Sequence, residues 1–269
     1  MTSATPGSGI ATPAWTVVRL PEPWSHTPVA VVVPTYNEAD NLPLLVSRVF
    51  ALPLDRVRLI VVDDNSPDGT GAIADELAAE ANAVRPDRMV VIHRQTKDGI
   101  GRAHLAGMVE ALARGDDYVV QMDADLSHPP EFIPQMLGAA LATDSGLVIG
   151  SRYVASGSLS SNWVLHRRLL SRGASAYVNA ILRMRIADTT GGFKVWRADA
   201  LKSIELGEVR STGFSFQIEM NYRAKMAGVR ILEVPIHFDE RHSGKSKISF
   251  AIQIEGLWVP VALRFSRRP

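Results

Sequence analysis

Between residues 29 and 150, short apolar runs alternate with amphipathic stretches, and most of the runs stop on a polar cluster. Val29-Ala30-Val31-Val32-Val33 is rich in β-branched residues and ends at Pro34. Such a run reads as a strand buried on both faces, the signature of a parallel sheet. Leu59–Val62, Met89–Ile92, Tyr118–Met122 and Leu147–Ile149 repeat the pattern. Leu42, Leu44, Leu45, Val46 and Val49 recur at helical spacing after the first run. Further helices are expected from Thr70 to about Ala83 and from the Gly99-Ile100-Gly101 segment through Ala113. Strands alternating with helices imply right-handed βαβ units and a mostly parallel sheet.

Ligands bind such sheets beyond the carboxyl ends of the strands. Four polar clusters fall at those ends: Pro34 to Glu38, Asp63 to Thr70, Lys97 to Arg102 and Asp123 to His128. Turn chemistry alone does not account for four clusters on one edge. Within the second, Pro67-Asp68-Gly69 reads as a structural turn.

Val119 to Met122 ends abruptly in Asp123-Ala124-Asp125. Along a strand, residues two apart share a face; where the chain turns, both carboxylates can converge on one point. Paired hard oxygens suit Mg²⁺ or Mn²⁺ and, through the ion, phosphate. A helix start is an equally open reading, with Asp or Ser as cap and Pro129 and Pro130 in the first turn; the two are compatible. Asp63 and Asp64 follow the second strand, where a carboxylate can accept from a base N–H or a ribose hydroxyl. Gly99 and Gly101 precede a helix and would let its N-terminus approach an anion closely. Only two glycines are present, after the third strand, so the dinucleotide fingerprint is not met, and no Walker loop occurs.

After Gly150 the pattern changes. Residues 160–185 read as one long helix carrying Trp163, Leu165, Leu169, Leu170, Tyr177 and Val178 together with His166, Arg167, Arg168 and Arg172. Its apolar face suits an anionic membrane surface or the protein's own core. A loop over Asp188–Lys194, a helix near Phe216–Ala227 and a strand over Ile231–Phe238 follow. Arg152, Arg167, Arg168, Arg241, Lys245 and Lys247 match phosphate oxygens chemically, and each taken singly also reads as a solvated surface charge.

Composition narrows the field. The 269 residues, 46% hydrophobic, suffice for a full core. A formal net charge of +1 gives no bulk attraction to nucleic acid. With no cysteine, disulfides, thiolate zinc sites and thiol catalysis are excluded. Residues 1–28 lack a basic start and an apolar run, so they read as a disordered lead-in rather than a signal peptide. The most apolar stretch, Ile248–Phe265, is interrupted by Gln253, Glu255 and Pro260, and no transmembrane helix is expected.

Pro34-Thr35-Tyr36-Asn37-Glu38, Val61 to Thr70, Gly99-Ile100-Gly101 and Met122-Asp123-Ala124-Asp125-Leu126-Ser127-His128-Pro129-Pro130 together resemble a family 2 glycosyltransferase of the GT-A fold. Gly150-Ser151-Arg152-Tyr153, Arg167 to Gly173, Asp188 to Phe193 and Glu240 to Lys247 extend the likeness to the polyprenol- or dolichol-phosphate mannose synthases, in particular their soluble actinobacterial type. The resemblance implies an α/β fold, a Rossmann-like mostly parallel sheet flanked by helices with a C-terminal helical extension on the acceptor side. It divides the chain into the lead-in 1–28, a catalytic domain 29–247 and an amphipathic segment 248–269.

The resemblance also implies transfer of mannose from GDP-mannose to a polyprenyl phosphate, with inversion. Pro34, Tyr36, Glu38 and Asp64 would hold guanosine, with Asp63 and Ala124 in the same donor site. Asp123 and Asp125 would hold Mg²⁺ or Mn²⁺, with Ser127 in the ligand set. Arg152, Arg167 and Ser171 would seat the acceptor phosphate, Asp125 and Arg152 being the catalytic pair. Arg241 and Lys247 would serve the donor phosphates. The implied setting is cytoplasmic, peripheral on the inner face of the membrane, with room for a membrane-protein anchor. Where the family has Asp-x-Thr-Ser-Gly-Phe, this chain has Asp188-Thr189-Thr190-Gly191-Gly192-Phe193, so a hydroxyl is missing at Gly191. UDP-glucose is the alternative donor.

Overall fold

The computed structural model describes residues 17–159, 165–213, 215–239 and 250–266. The β-branched run forms β1 (Val29–Thr35). It is followed by α1 (Leu42–Phe50), β2 (Val57–Asp63), α2 (Thr70–Val84), β3 (Met89–His93), α3 (Ile100–Ala113) and β4 (Tyr118–Gln121). Then come α4 (Ile133–Thr143), β5 (Leu147–Ser151), β6 (Ser158–Leu159) and α5 (Leu165–Leu182). The chain ends with β7 (Lys194–Arg197), α6 (Ala198–Ser203), α7 (Ser215–Met226), β8 (Ile231–Pro235), β9 (His237–Phe238) and α8 (Phe250–Phe265).

Seven strands make one sheet in the order β3-β2-β1-β4-β7-β5-β8, while β6 and β9 pair separately. β3, β2, β1 and β4 run parallel, and β8 runs parallel to β5. β7 is antiparallel to both of its neighbours, β4 and β5. This strand is a correction to the expected loop: Asp188–Phe193 is a loop, but Lys194–Arg197 is a central strand. Lys194 hid it, since a lysine in a short run reads as surface, yet this one is fully buried.

Alternation along β1 shows why its run is apolar throughout. Val29, Val31 and Val33 pack on one side with Leu42, Leu45 and Val49 of α1, Ala74 of α2, and Ile133, Met136 and Leu137 of α4. Ala30 and Val32 face the other way, among Ala103 and Met108 of α3, Val178 and Leu182 of α5, and Phe216, Ile218 and Met220 of α7. Both sheet faces are thus covered, the arrangement parallel sheets require. Each buried valine contributes on the order of 1.5 kcal/mol through removal of apolar area from water.

Two boundaries differ from expectation. Residues 17–28 are not a disordered lead-in: Val17 and Leu20 pack on the first core, and Asp55 donates its backbone N–H to Ser25 O at 3.0 Å. Residues 1–16 lie outside the described part. The long helix runs from Leu165 to Leu182, and residues 160–164 also lie outside it. Its apolar face divides along its length. Val178 and Leu182 join the core, while Leu170 is exposed.

Candidate functional site

The carboxyl edge of the sheet is organised by the loops that leave it. After β1 and β2 the loops bind each other: Asn37 N–H donates to Ser66 Oγ at 3.1 Å and Glu38 N–H to Thr70 Oγ1 at 3.0 Å. Asp68 caps the start of α2 by accepting from Thr70 N–H at 3.0 Å and Thr70 Oγ1 at 2.6 Å, and it also accepts from Ala39 N–H at 3.2 Å. The structural reading of Pro67-Asp68-Gly69 therefore holds, and Gly69, at φ +88°, supplies the left-handed turn.

Asp63 and Asp64 part company here. Asp63 is buried and accepts from Thr35 Oγ1, Ser66 Oγ and Ser66 N–H at 2.9, 2.6 and 3.0 Å. It fastens the loops together and does not line the cleft above them. Asp64 does line it. Its Oδ1 accepts from Arg94 Nη1 at 2.6 Å. Burial outweighs that cation, and the Asp64 carboxyl is held above its ordinary pKa. Arg94 had no role in the sequence reading. Its signal was positional, as it follows β3 at the same edge where β2 and β1 deliver their polar residues.

The glycine segment is corrected more sharply. A Cβ on Gly99 would lie 2.5 Å from Thr212 O, and one on Gly101 would lie 2.9 Å from Ser211 O and the Phe216 ring. Gly101 N–H donates to Thr212 O at 2.9 Å. The close approach these glycines permit is therefore to the protein's own backbone, and a carbonyl, rather than an external anion, meets this N–H at the start of α3. Ile100 and Lys97 nonetheless reach the cleft, and Lys97 Nζ lies 3.5 Å from the centre of the Tyr36 ring, a cation–π contact.

The two central aspartates both line the cleft. A cleft of about 190 Å³ is bounded by Pro34, Tyr36, Glu38, Asp64, Asp123, Ala124 and Asp125, with Thr190, Gly192 and Gln217 at its other side. Leu126, directly after Asp125, is a left-handed residue at φ +61° that turns the chain away from the strand direction. Asp125 Oδ1 accepts from Ser127 N–H at 3.1 Å and Ser127 Oγ at 2.6 Å, so buried Ser127 orients Asp125. Asp123 lies between two buried imidazoles: His104 Nε2 is 3.9 Å from Oδ1 and His128 Nδ1 3.9 Å from Oδ2. Burial lowers the pKa of both histidines, favouring their neutral forms. The carboxylate charge of Asp123 is thus not cancelled by these neighbours.

Arg152, at the end of β5, is largely buried. Its Nε and Nη2 donate to Asp188 Oδ2 and Oδ1 at 2.7 and 2.6 Å, and Nη2 also donates to Thr190 Oγ1 at 3.0 Å. Burial disfavours both charges, but the pairing prevails: the Arg152 pKa is raised and that of Asp188 lowered. Ser171, of α5, is half-buried, one turn before Ser175, whose Oγ accepts from Thr189 N–H at 3.3 Å. Arg172, beside Ser171, places its guanidinium carbon 5.2 Å from the centre of the Tyr153 ring. The side chain of Arg167, and Arg241 and Lys247 entirely, lie outside the described residues.

The reversed direction of β7 matters here. Only because it runs antiparallel do the residues before it share an edge with the residues after the other strands. Read across the sheet, that edge presents Arg94 (β3), Asp64 (β2), Tyr36 and Glu38 (β1), Asp123 and Asp125 (β4), Asp188 to Gly192 (β7) and Arg152 (β5).

The sheet is mostly parallel with an acidic cleft at its carboxyl edge, and residues 30–205 match the model of glycosyl transferase family 2, which makes the protein a glycosyltransferase. The chain belongs to that family. It is 47% identical over 220 residues to a polyprenol monophosphomannose synthase of Mycolicibacterium smegmatis, covering 81% of this chain and 80% of the relative. It is 45% identical over 225 residues to an undecaprenyl-phosphate mannosyltransferase of Micrococcus luteus, covering 83% and 88%. Among solved structures it resembles a mannosyltransferase from Pyrobaculum calidifontis in complex with GDP-mannose and Mn²⁺, with TM-score 0.58 and 18% identity over 95% of this chain and 70% of that one. A glucosyl-3-phosphoglycerate synthase from Mycobacterium tuberculosis, with Mn²⁺ and UDP-glucose, gives TM-score 0.63 and 19% identity over 94% and 85%. At these identities the structural likenesses establish the fold.

Proposed function

We propose that the protein transfers mannose from GDP-mannose to the phosphate of a polyprenyl phosphate, inverting the anomeric centre. One observation carries the reading: Pro34, Tyr36, Glu38, Asp64, Asp123, Ala124 and Asp125 all open onto one cleft. The names of the two relatives at 45–47% identity favour mannose and a polyprenyl phosphate. The UDP-glucose alternative has support only from a likeness of fold.

The order of groups along the sheet edge supports a division of labour. Tyr36, Glu38 and Asp64 would hold the guanosine, Asp123 and Asp125 the diphosphate end, and Arg152 the acceptor phosphate. Among the described residues no three acidic or imidazole groups form a metal cage. Two oriented carboxylates, one beside neutral imidazoles, fit a hard divalent ion that completes its shell with diphosphate oxygens and water. Asp123 and Asp125 would hold Mg²⁺ or Mn²⁺, with Ser127 acting through Asp125. Once bound, the ion supplies charge stabilisation for the departing diphosphate.

The acceptor phosphate is largely dianionic at pH 7, its second pKa being near 6. It needs no general base. Its oxygen forms a bond to the anomeric carbon as the bond from that carbon to the diphosphate oxygen breaks, and GDP leaves. Asp188 and Thr190 hold the Arg152 fork in place. Positioning, with relief of repulsion between two anionic substrates, is what these residues contribute.

A lipid acceptor implies a membrane surface. On α8, Leu257, Trp258 and Phe265 are 58%, 69% and 80% exposed, close to Arg264. No helix among the described residues is long and apolar enough to cross a membrane. The amphipathic end of the chain supports peripheral attachment on the cytoplasmic leaflet, with or without a membrane-protein anchor. Incubation with radiolabelled GDP-mannose or UDP-glucose and a short polyprenyl phosphate, with and without EDTA, tests the reading. Chelator-sensitive lipid labelling from GDP-mannose is expected; labelling from UDP-glucose alone refutes it.

A further inference from the structure

Beneath the β7 side of the cleft lies a buried polar group that the proposed chemistry leaves unused. Gln121 and Lys194 are cross-strand partners in the β4–β7 ladder, and both are fully buried. Lys194 Nζ donates to Gln217 Oε1 at 2.7 Å and to Gln217 O at 3.3 Å. Gln121 Nε2 donates to the same Oε1 at 2.8 Å.

This arrangement leaves the Gln217 amide one orientation. Lys194 Nζ and Gln121 Nε2 both bring N–H groups to the same atom, which is therefore assigned as the carbonyl oxygen. Two donors then occupy both lone pairs of Oε1, and the NH₂ must point elsewhere. It points to the cleft, which Gln217 lines. The hydrogen bonds from Lys194 and Gln121 all run to oxygens of Gln217, which is 6% exposed.

Gly192 marks where the NH₂ looks. A Cβ built on Gly192 would lie 3.3 Å from His128 Cε1, 3.5 Å from Asp123 Oδ2 and 3.6 Å from Gln217 Nε2. One small space is therefore fronted by the aspartate expected to hold the diphosphate end and by a pinned amide donor, and glycine keeps it open.

We propose that the Gln217 amide NH₂ is a sugar-recognition group, donating to a hydroxyl oxygen of the transferred hexose, and that Lys194 and Gln121 are positioning residues holding it in that orientation. The inference rests on the function proposed above and adds to it the contact that reads the sugar. The order along the edge assigns the ligand part: nucleoside at β2 and β1, diphosphate at β4, and hexose at β7, before the acceptor side at β5.

Three variants test it: Gln217→Leu, Gln217→Glu and Lys194→Met. Gln217→Glu keeps the shape and gives Lys194 a carboxylate partner, so it retains folding even where leucine perturbs it; melting curves check this. Steady-state kinetics with GDP-mannose and calorimetric titration with GDP separate sugar from nucleotide recognition. Expected is a roughly ten- to hundredfold loss of kcat/KM in both Gln217 variants. A smaller loss is expected in Lys194→Met. GDP affinity should stay within about twofold throughout, because GDP lacks the hexose. Wild-type kcat/KM in both Gln217 variants, or GDP affinity falling in step with kcat/KM, overturns the assignment. Wild-type kcat/KM in Lys194→Met removes the positioning role. A wild-type enzyme that transfers nothing from GDP-mannose overturns the underlying function as well, whereas wild-type turnover with unimpaired Gln217 variants overturns this inference alone.

Discussion

Asp123 has a partly exposed carboxylate between two neutral imidazoles, so its charge faces the cleft. Asp123→Ala should abolish mannosyl transfer while circular dichroism and melting temperature stay near wild type; substantial turnover would remove the metal-holding role. Arg152 and Asp188 form a pair with little access to water. Asp188→Ala leaves a buried guanidinium without its counter-charge, and urea denaturation should report a loss of about 3–5 kcal/mol. Lys194 is buried and its pKa is lowered to about 7. The unfolded chain, with an ordinary lysine pKa near 10.4, therefore binds more protons than the folded one between about pH 7 and 10. Stability carried by this group rises with pH across that window, by on the order of 2 kcal/mol between pH 7 and 9. Lys194→Met should flatten that part of the profile, and equal slopes in both proteins would show that Lys194 titrates normally.

Among the elements, α3 begins and ends where its spacing predicts, but its glycines face the protein's own backbone rather than an anion. Its apolar spacing and its glycines were visible, but the partner of those glycines was not, because Ser211 and Thr212 are over a hundred residues away in sequence. Gly101→Ala drives a methyl against a carbonyl and the Phe216 ring, and a loss of about 1–3 kcal/mol is expected by thermal or urea unfolding. On α8, Pro260 is buried and Leu263 packs on the second core, while Leu257, Trp258 and Phe265 face outward. Replacing these three by serine should reduce co-sedimentation with anionic vesicles and leave turnover of a detergent-dispersed short-chain acceptor within about twofold of wild type. Undiminished vesicle binding would assign the membrane contact to another surface. The β7 strand was missed because its four residues include Lys194 and Arg197.

For the whole molecule, the sheet edge is the organising device. It strings polar groups in one line from Asp64 to Arg152, the line along which the proposed sugar nucleotide and its acceptor would lie. The parallel strands, the covering helices and the paired aspartates were legible in the sequence, since hydrophobic period and strand-end chemistry are local signals. Asp64 could be told from Asp63 only in three dimensions, where Thr35 and Ser66 claim Asp63. Arg94, His104 and Gln217 carried no local mark of their part in the site. Their roles come from what distant strands and helices bring beside them.

The order of residues alone determined that this chain builds a two-face-buried sheet with acidic loops at one edge, because burial and turning are decided by neighbours a few positions apart. Only the tertiary structure decided which polar groups are spent on holding loops together and which remain directed at the cleft. Hydrogen-bond partners such as Lys194, Gln121 and Gln217 lie on separate elements, and only packing brings them within reach of one another.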